Sequence, residues 1–170
     1  MYTHALASLA KFGWQVELQD RKPMPDEISR RYSWVPADYI ATIETTRRAL
    51  GPGDAAWLLT SSEFCSDSDS EYAWNEWELQ SLEAARGDQV WIAEIRNFWD
   101  CHFPILTSLT KCYAYFALQK GTMQVVCGEE PEFTGPTFLA NSLADMFERI
   151  LNRDQSVLPW VEPLQVRSEP

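Results

Sequence analysis

Apolar residues recur at helical spacing near the start of the chain and again after residue 35. Thr3 is a suitable N-cap for a short first helix, whose apolar face would hold four residues: Ala5, Leu6, Leu9 and Ala10. A second helix is predicted from Pro36 to Leu50, because proline suits the first helical position and Gly51-Pro52-Gly53 is a firm stop. Residues 19–31 predict a loop, since two prolines stand there among charged side chains.

The middle of the chain combines one short apolar run with two helical patterns. Residues 55–60 predict a strand, and residues 61–70, rich in Ser and Asp, predict a loop. Residues 75–86 predict a helix closed by Gly87, with Trp74, Trp77, Leu82 and Ala85 near one face. Residues 90–99 fit a period of 3.6 better than strict alternation, so they predict a further helix whose core stripe is Ile92, Ile95, Phe98 and Trp99.

The strongest β pattern follows. Residues 112–119 are rich in aromatic side chains, residues 122–127 are β-branched and apolar, and Lys120-Gly121 between them is a turn signal. This pattern predicts a hairpin. Residues 128–136 are acidic and contain proline, which predicts a loop, and residues 137–140 predict a short edge strand.

The C-terminal part predicts one last helix and a tail. Ser142 to Asp145 fit a capping box, and the helix that follows carries a core stripe of Leu143, Met146, Phe147, Ile150 and Leu151. Residues 153–170 hold three prolines and predict an extended tail. We therefore expect one α+β domain over residues 1–152, with a twisted antiparallel sheet and helices on one face and at its ends.

Length and composition fit an ordinary domain inside the cell. The chain has 170 residues, of which 45% are hydrophobic and 23% are charged. No apolar run approaches the roughly 18 residues of a membrane span, and residues 1–14 show no signal-peptide pattern. The four cysteines form no C-x-x-C pair, which favours a reducing compartment, so we expect a cytoplasmic protein that is not bound to a membrane.

Negative charge is concentrated in two stretches that contain no Lys or Arg. The net charge is −11, from 14 basic and 25 acidic residues. Residues 49–85 hold eight acids and residues 121–148 hold five, with no base in either. A protein that binds nucleic acid directly would carry the opposite sign. The pattern favours attraction to a basic protein partner, and the alternative is an acidic surface that only keeps the protein soluble.

Motifs for catalysis or metal binding are weak. Neither a P-loop nor G-x-G-x-x-G is present, so no phosphate cradle of those kinds is expected. His102 is the single histidine on which a triad could be built, and a structural histidine is the alternative. The Cys and His spacings match no closed zinc site, and the acids at 129–132 lack the ligand run of a calcium loop. We expect no enzyme activity, no metal and no cofactor.

Aromatic and acidic residues alternate at the clearest candidate site. Residues 71–78 interleave three aromatic rings with three acids, and the acidic loop near residue 130 repeats this combination. Aromatic anchors surrounded by acids suit a binding site for a basic protein surface. The alternative is that Trp74 and Trp77 belong to the core. If both acidic segments share one face, the partner-binding residues are Glu71, Trp74, Glu76, Glu78, Glu129, Glu130 and Glu132.

Three stretches of the chain carry motifs in the order known from one superfamily. Residues 34–39 read WVPADY, an aromatic-x-Pro-x-x-Tyr helix start, and residues 98–105 read FWDCHFPI, ending in the "PI" entry to central strands. The third and most specific stretch runs through strand 113–118, Gly121, Val125-Val126, Gly128, the P-E-F loop at 130–133, Ala140, and Ser142-Leu143 to Phe147. As a set these motifs resemble the SUKH superfamily, of the Smi/Knr type.

The resemblance covers roughly residues 28–152 and carries implications for fold and function. It implies an α+β fold and a role without catalysis. Bacterial members are commonly immunity proteins that neutralise a cognate toxin, often a nuclease, and fungal members are regulatory adaptors. The chain departs from the simplest members in a long insert at residues 61–88 and in its tail. We therefore expect an immunity protein for a basic toxin such as a nuclease, and the alternative is a general adaptor without a toxin.

Overall fold

In the part of the chain that the structure describes, seven strands form one open antiparallel sheet in which every strand pairs with its neighbours in chain order. The computed structural model describes residues 2–65 and 73–163. Within them the strands are β1 (Gln15–Leu18), β2 (Thr46–Leu50), β3 (Ala56–Leu58), β4 (His102–Ser108), β5 (Ala114–Gln119), β6 (Val125–Glu129) and β7 (Glu132–Ala140). Because the sheet does not close, β1 and β7 are its two edges.

Helices pack around this sheet, so the predicted α+β class with an antiparallel sheet is confirmed. The α-helices of the described residues are α1 (Tyr2–Leu9), α2 (Asp26–Arg31), α3 (Ala37–Glu44), α4 (Ser61–Phe64), α5 (Glu76–Ala84), α6 (Gln89–Asp100), α7 (Leu143–Leu151) and α8 (Leu158–Val161). Short 3₁₀ turns lie at Ala10–Phe12 and Pro52–Asp54. The helices predicted near the start of the chain, at 75–86, at 90–99 and after Ser142 are all present.

Local capping explains where several helices begin. The Ser142 hydroxyl accepts a hydrogen bond from the Asp145 amide at 3.1 Å, as the predicted cap requires. The Asp88 carboxylate starts α6 by accepting from the amides of Val90 and Trp91, each at 3.0 Å. These caps satisfy backbone donors that have no partner inside the helix.

The centre of the sheet is covered on both faces. Every residue of β4 is buried, and neighbouring residues of a strand point to opposite faces. On one face Tyr115 packs against Trp77 of α5 and Trp99 of α6, with ring centroids 5.3 and 5.0 Å apart. On the other face Phe103 packs against Tyr39 of α3 and stacks on Phe64 of α4. Helices α5 and α6 therefore form one covering layer, and the partner-binding candidates lie in that layer and beside it.

The helix predicted from Pro36 to Leu50 ends six residues early. Residues 46–50 form β2 instead, which pairs with β1 and β3. The Thr46 hydroxyl donates to the Thr42 carbonyl at 2.8 Å, which satisfies a free acceptor at the end of α3. β-branched threonine favours the extended chain that follows, and sheet pairing replaces the helical bonds.

Residues 128–136 are a strand–turn–strand unit, and the loop predicted there is wrong. β6 continues to Glu129, β7 begins at Glu132, and a cis peptide joins Glu130 to Pro131 between them. Pro136 lies within β7 without breaking it, because β7 is an edge strand and one side of it needs no ladder partner. The acids of this segment are thus held on a hairpin.

Other differences come from short elements. The loops predicted at 19–31 and 61–70 contain α2 and α4, and the sequence pattern did not predict β1 or β4. Residues 158–161 form α8 rather than an extended tail, with Val157, which precedes the helix, and Val161 in the core. The Ser108 hydroxyl donates to the Trp160 carbonyl at 2.5 Å and so fastens this segment to the end of β4.

Candidate functional site

The two tryptophans of the predicted site serve packing. Trp77 is fully buried and lies over Trp99 and Tyr113, with ring centroids 6.2 and 5.4 Å away. Trp74 is half-buried and packs against Phe64 at 5.2 Å. Both rings therefore pack in the protein core, which was the alternative to their prediction as partner-binding residues. Glu71, predicted beside them, lies outside the described residues.

Glu78 is part of a buried ionic network. Its carboxylate accepts two hydrogen bonds from the Arg31 guanidinium, at 2.8 and 2.9 Å. The Nε of the same arginine donates to Asp100 at 2.7 Å. Arg31 thus joins α2 to α5 and to the end of α6, and it balances the charge of Glu78 inside the protein. Glu78 is therefore not available as an exposed acidic residue.

Glu76 lies on a different side of α5. Its carboxylate accepts from the Gln80 side chain at 3.1 Å, one helical turn further on. Gln80 lines a cavity that also touches the turn between β6 and β7. Glu76 therefore lies on the side of α5 that leads toward that turn.

Three acids surround the tip of the β6–β7 hairpin, and we call Glu129, Glu130 and Glu132 the acidic hairpin. Glu129 and Glu132 pair directly across the two strands, and Glu130 lies in the turn between them. All three side chains are exposed. None of them takes part in an ion pair among the described residues. The Cys112 thiol donates to Glu129 at 3.0 Å, and burial followed by this carboxylate raises the pKa of that thiol to about 11.

The structure brings α5 and the acidic hairpin together through Tyr113. The Tyr113 ring stacks on Trp77 of α5, and its carbonyl accepts from the Glu130 amide at 3.1 Å. Phe133 completes the contact, with its ring 5.9 Å from that of Tyr113 and its carbonyl accepting from the Tyr115 hydroxyl. The sequence-predicted acids Glu129, Glu130 and Glu132 therefore lie together on a hairpin that packs against α5, and Glu76 lies at the start of α5. Glu78 points into the ionic network.

A groove runs beside the acidic hairpin, and we call it the α6 groove. It consists of two cavities of about 290 and 400 Å³ that share Trp91, Ile95 and Thr134. The residues that matter for its chemistry are Trp91, Glu94, Ile95, Phe98, Glu132 and Thr134. The sequence analysis did not identify Trp91 or Glu94 as site residues. The available signal was their i, i+3 spacing on α6, which continues through Ile95 and Phe98.

His102 forms the inner end of this groove and is a structural histidine. Its ring stacks on Phe98 with centroids 4.0 Å apart. Nδ1 lies 2.8 Å from the Phe98 carbonyl, which can only accept, so Nδ1 carries the proton and Nε2 accepts from Gln119 at 3.3 Å. Both ring nitrogens are therefore engaged within the protein. Burial lowers the pKa of His102 more than the hydrogen bond to Phe98 raises it.

This environment predicts that the folded protein loses stability at acidic pH and that His102→Gln reduces this loss. The unfolded chain binds a proton near pH 6.5, whereas folded His102 binds it only at lower pH. The unfolded state then holds more protons, so stability should fall as the pH drops below that value. Urea unfolding at pH 7.5 and 5.5 should show this loss in the wild type and a flatter response in the variant. His4→Gln, at an exposed histidine, should retain the wild-type pH profile, and equal profiles for both variants would contradict the assignment.

No metal centre is formed by the described residues. None of their His, Cys, Asp and Glu side chains come together in a group of three or more that could hold an ion. The four cysteines are free. Among the same residues, no helix combines the length and apolar character needed to span a bilayer.

The site is thus a half-exposed aromatic groove next to an acidic hairpin and the acidic start of α5. Its polar side chains are carboxylates, hydroxyls, the amides of Gln80 and Asn97 and the thiol of Cys101, with one neutral histidine at the inner end. The arrangement can bind a positively charged surface by electrostatic attraction and aromatic contact. Comparison with protein-family models, with curated proteins and with solved structures found no match, so geometry and charge are what define this site.

Proposed function

We propose that this chain is a non-enzymatic protein-binding domain that docks a basic surface of another protein. The acidic face consists of Glu76 and the acidic hairpin. The observation that carries the proposal is the direct pairing of Glu129 with Glu132, with Glu130 exposed in the turn between them. Three exposed carboxylates at one hairpin tip, without an ion pair among the described residues, form a concentrated source of negative potential.

The surrounding elements add to this negative field. Residues 76–100 and 125–140 together contain nine acids and two bases. One of the two bases, Arg86, pairs with Glu83 at 2.6 Å. A partner with a positive surface would be attracted over the distance of a Debye length, and its association could approach ~10⁸ M⁻¹s⁻¹ at low salt.

The acidic hairpin also contains a pair of like charges that is unfavourable for sheet stability. Like charges directly opposite each other on two strands destabilise the pair. Such conflicts in a folded protein are expected at functional sites, where binding rather than folding determines the residue. A cationic partner would relieve the repulsion between Glu129 and Glu132 when it binds.

We further propose that the partner is a toxin and that the chain acts in the cytoplasm as its immunity protein. The resemblance of the motifs at residues 34–39, 98–105 and 113–147 to the SUKH superfamily supports this class of partner. A nuclease is a suitable example, because nuclease clefts are basic where they bind phosphate. An acidic protein that fills such a cleft would block access of nucleic acid.

The test is to express the chain with the product of its adjacent gene and to measure association as a function of salt. A complex that forms rapidly at low salt, weakens as salt rises and suppresses the toxin's activity is the expected result. Absence of a complex with that product would contradict the immunity role. Capture of a non-toxin partner through the same acids would favour the adaptor alternative instead.

Reversing charge at the acidic hairpin should separate binding from stability. We expect the double variant Glu130→Lys, Glu132→Lys to slow association with the partner at least tenfold at low salt and to flatten its salt dependence. Its stability to urea should stay equal or rise, since the repulsion between Glu129 and position 132 becomes an attraction.

The matched control is Asp20→Lys with Glu27→Lys. Both acids are exposed, and neither lines the α6 groove. Asp20 follows β1 at the opposite edge of the sheet from β7, and Glu27 lies on α2. The control changes the net charge by the same amount but at a different place. If the acidic hairpin governs binding, the control should therefore slow association much less. Similar slowing by both double variants would show that net charge, rather than the acidic hairpin, governs binding.

A further inference from the structure

We propose that the α6 groove binds an arginine side chain of the partner, stacked on Trp91 between Glu94 and Glu132. This inference rests on the proposed function and identifies how the partner is anchored. It starts from the contrast between the two tryptophans of α6. Trp99 is buried in the core, whereas Trp91 is 44% exposed and lines both cavities of the groove.

Trp91 is partly exposed in a groove whose other apolar residues are packed into the protein. Ile95, one turn further along α6, is buried and lines both cavities with Trp91, and Phe98 stacks on His102. No aromatic ring of the described residues is found in contact with Trp91 itself. An exposed indole held in a firm groove is typical of an anchor site at an interface.

The charges of the groove select a cation. Glu94 lines one cavity and Glu132 lines the other, and no Lys or Arg of the described residues lines either of them. His102 does not supply a positive charge at neutral pH, because its pKa is lowered by burial. A positively charged side chain would therefore meet an aromatic surface with a carboxylate toward each end.

Arginine suits this arrangement better than lysine. Its guanidinium is planar, so it stacks on an indole while its edge donates hydrogen bonds to carboxylates. It is also more weakly hydrated than an ammonium group, which lowers the cost of moving it from water into an apolar groove. The acidic hairpin would attract the partner from a distance, and the α6 groove would hold one side chain in place.

The first experiment titrates the full chain, labelled with ¹⁵N at tryptophan, with tri-arginine amide and with tri-lysine amide. The Trp91 indole resonance is assigned by its loss in Trp91→Phe. We expect tri-arginine to shift it strongly and tri-lysine to shift it several times less. Equal shifts from both peptides, or no shift at Trp91, would overturn the proposal.

Charge variants then test the two carboxylates. Glu94→Gln with Glu132→Gln should weaken tri-arginine binding about tenfold, as expected for the loss of two charge-assisted contacts. The matched control, Asp20→Asn with Glu27→Gln, should change it less than about twofold because both acids are exposed and neither lines the groove. Equal losses of tri-arginine affinity in the two double variants would mean that the peptide responds only to the net charge of the protein.

The anchor and the proposed function can fail separately. If the toxin or another basic partner binds through Glu130 but is insensitive to Trp91→Ala and Glu94→Gln, the acidic face stands and the arginine site is wrong. If tri-arginine shifts Trp91 but no basic protein binds the chain, the groove stands and the proposed function is wrong. Urea unfolding of each variant shows whether it remains folded during these measurements.

Discussion

Replacing Gly128 by alanine should destabilise the domain by about 3 kcal/mol, toward the upper end of the usual range for overpacking. A Cβ at this position would lie 2.4 Å from three atoms of the Tyr115 side chain. Gly128 pairs directly with Tyr115 between β6 and β5, so the backbones cannot move apart without loss of sheet hydrogen bonds. Relief would require the tyrosine side chain to move.

The Tyr115 ring has no free space in which to move. It is fully buried between Trp77 and Trp99, and its hydroxyl donates to the Phe133 carbonyl at the base of the acidic hairpin. Displacement would disturb α5, α6 and the hairpin together. The same variant should therefore also weaken partner binding, because Glu129 follows directly after the substituted residue.

Gly135→Ala is the matched control for Gly128→Ala. At Gly135 the nearest atoms to an added Cβ are 3.6 Å away and belong to the flexible Glu132 side chain. We expect the control to change the free energy of unfolding by less than about 0.5 kcal/mol in urea. Adding Tyr115→Leu should make the Gly128→Ala change less costly than it is in the wild type. Equal stability of the two alanine variants would contradict the packing argument.

Local signals explain which elements the sequence could predict. Ser142 caps α7 through a bond to a residue three positions away, and Gly121 adopts a positive φ of 88° in the β5–β6 hairpin. Such interactions depend on neighbours in the chain and can be read from one segment. β4 gave no comparable signal, because both of its faces are buried and strict alternation is absent.

The candidate site was predictable to the extent that it depends on charge. The base-free stretches indicated the acidic hairpin and Glu76, and in the structure Glu76 contacts Gln80, which lines the same cavity as Glu132. The role of Glu78 was not predictable, since its partner Arg31 lies 47 residues earlier in the chain. Trp91 was not predicted as a site residue because it lies beside the core stripe of α6. The helical pattern identifies that stripe and does not show which of the residues next to it form a groove.

Arg31→Met should lower the free energy of unfolding by about 3 kcal/mol, because Glu78 would remain as an unpaired charge in a largely buried position. The Glu78 side chain is only 11% exposed, and two of its hydrogen bonds come from this one guanidinium. The substitution also releases α2 from Asp100 at the end of α6. Urea unfolding at neutral pH measures the loss.

Arg86→Met is the control, since the Arg86–Glu83 pair is 78% and 65% exposed and should contribute little in water. The double variant Arg31→Met, Glu78→Met should recover much of the lost stability, because two apolar side chains of similar length replace the pair without leaving a buried charge. If Arg31→Met were no more harmful than Arg86→Met, the network would not be stabilising. If the double variant binds the partner as fast as the wild type does, Glu78 stabilises the fold and the remaining acids are the ones that bind.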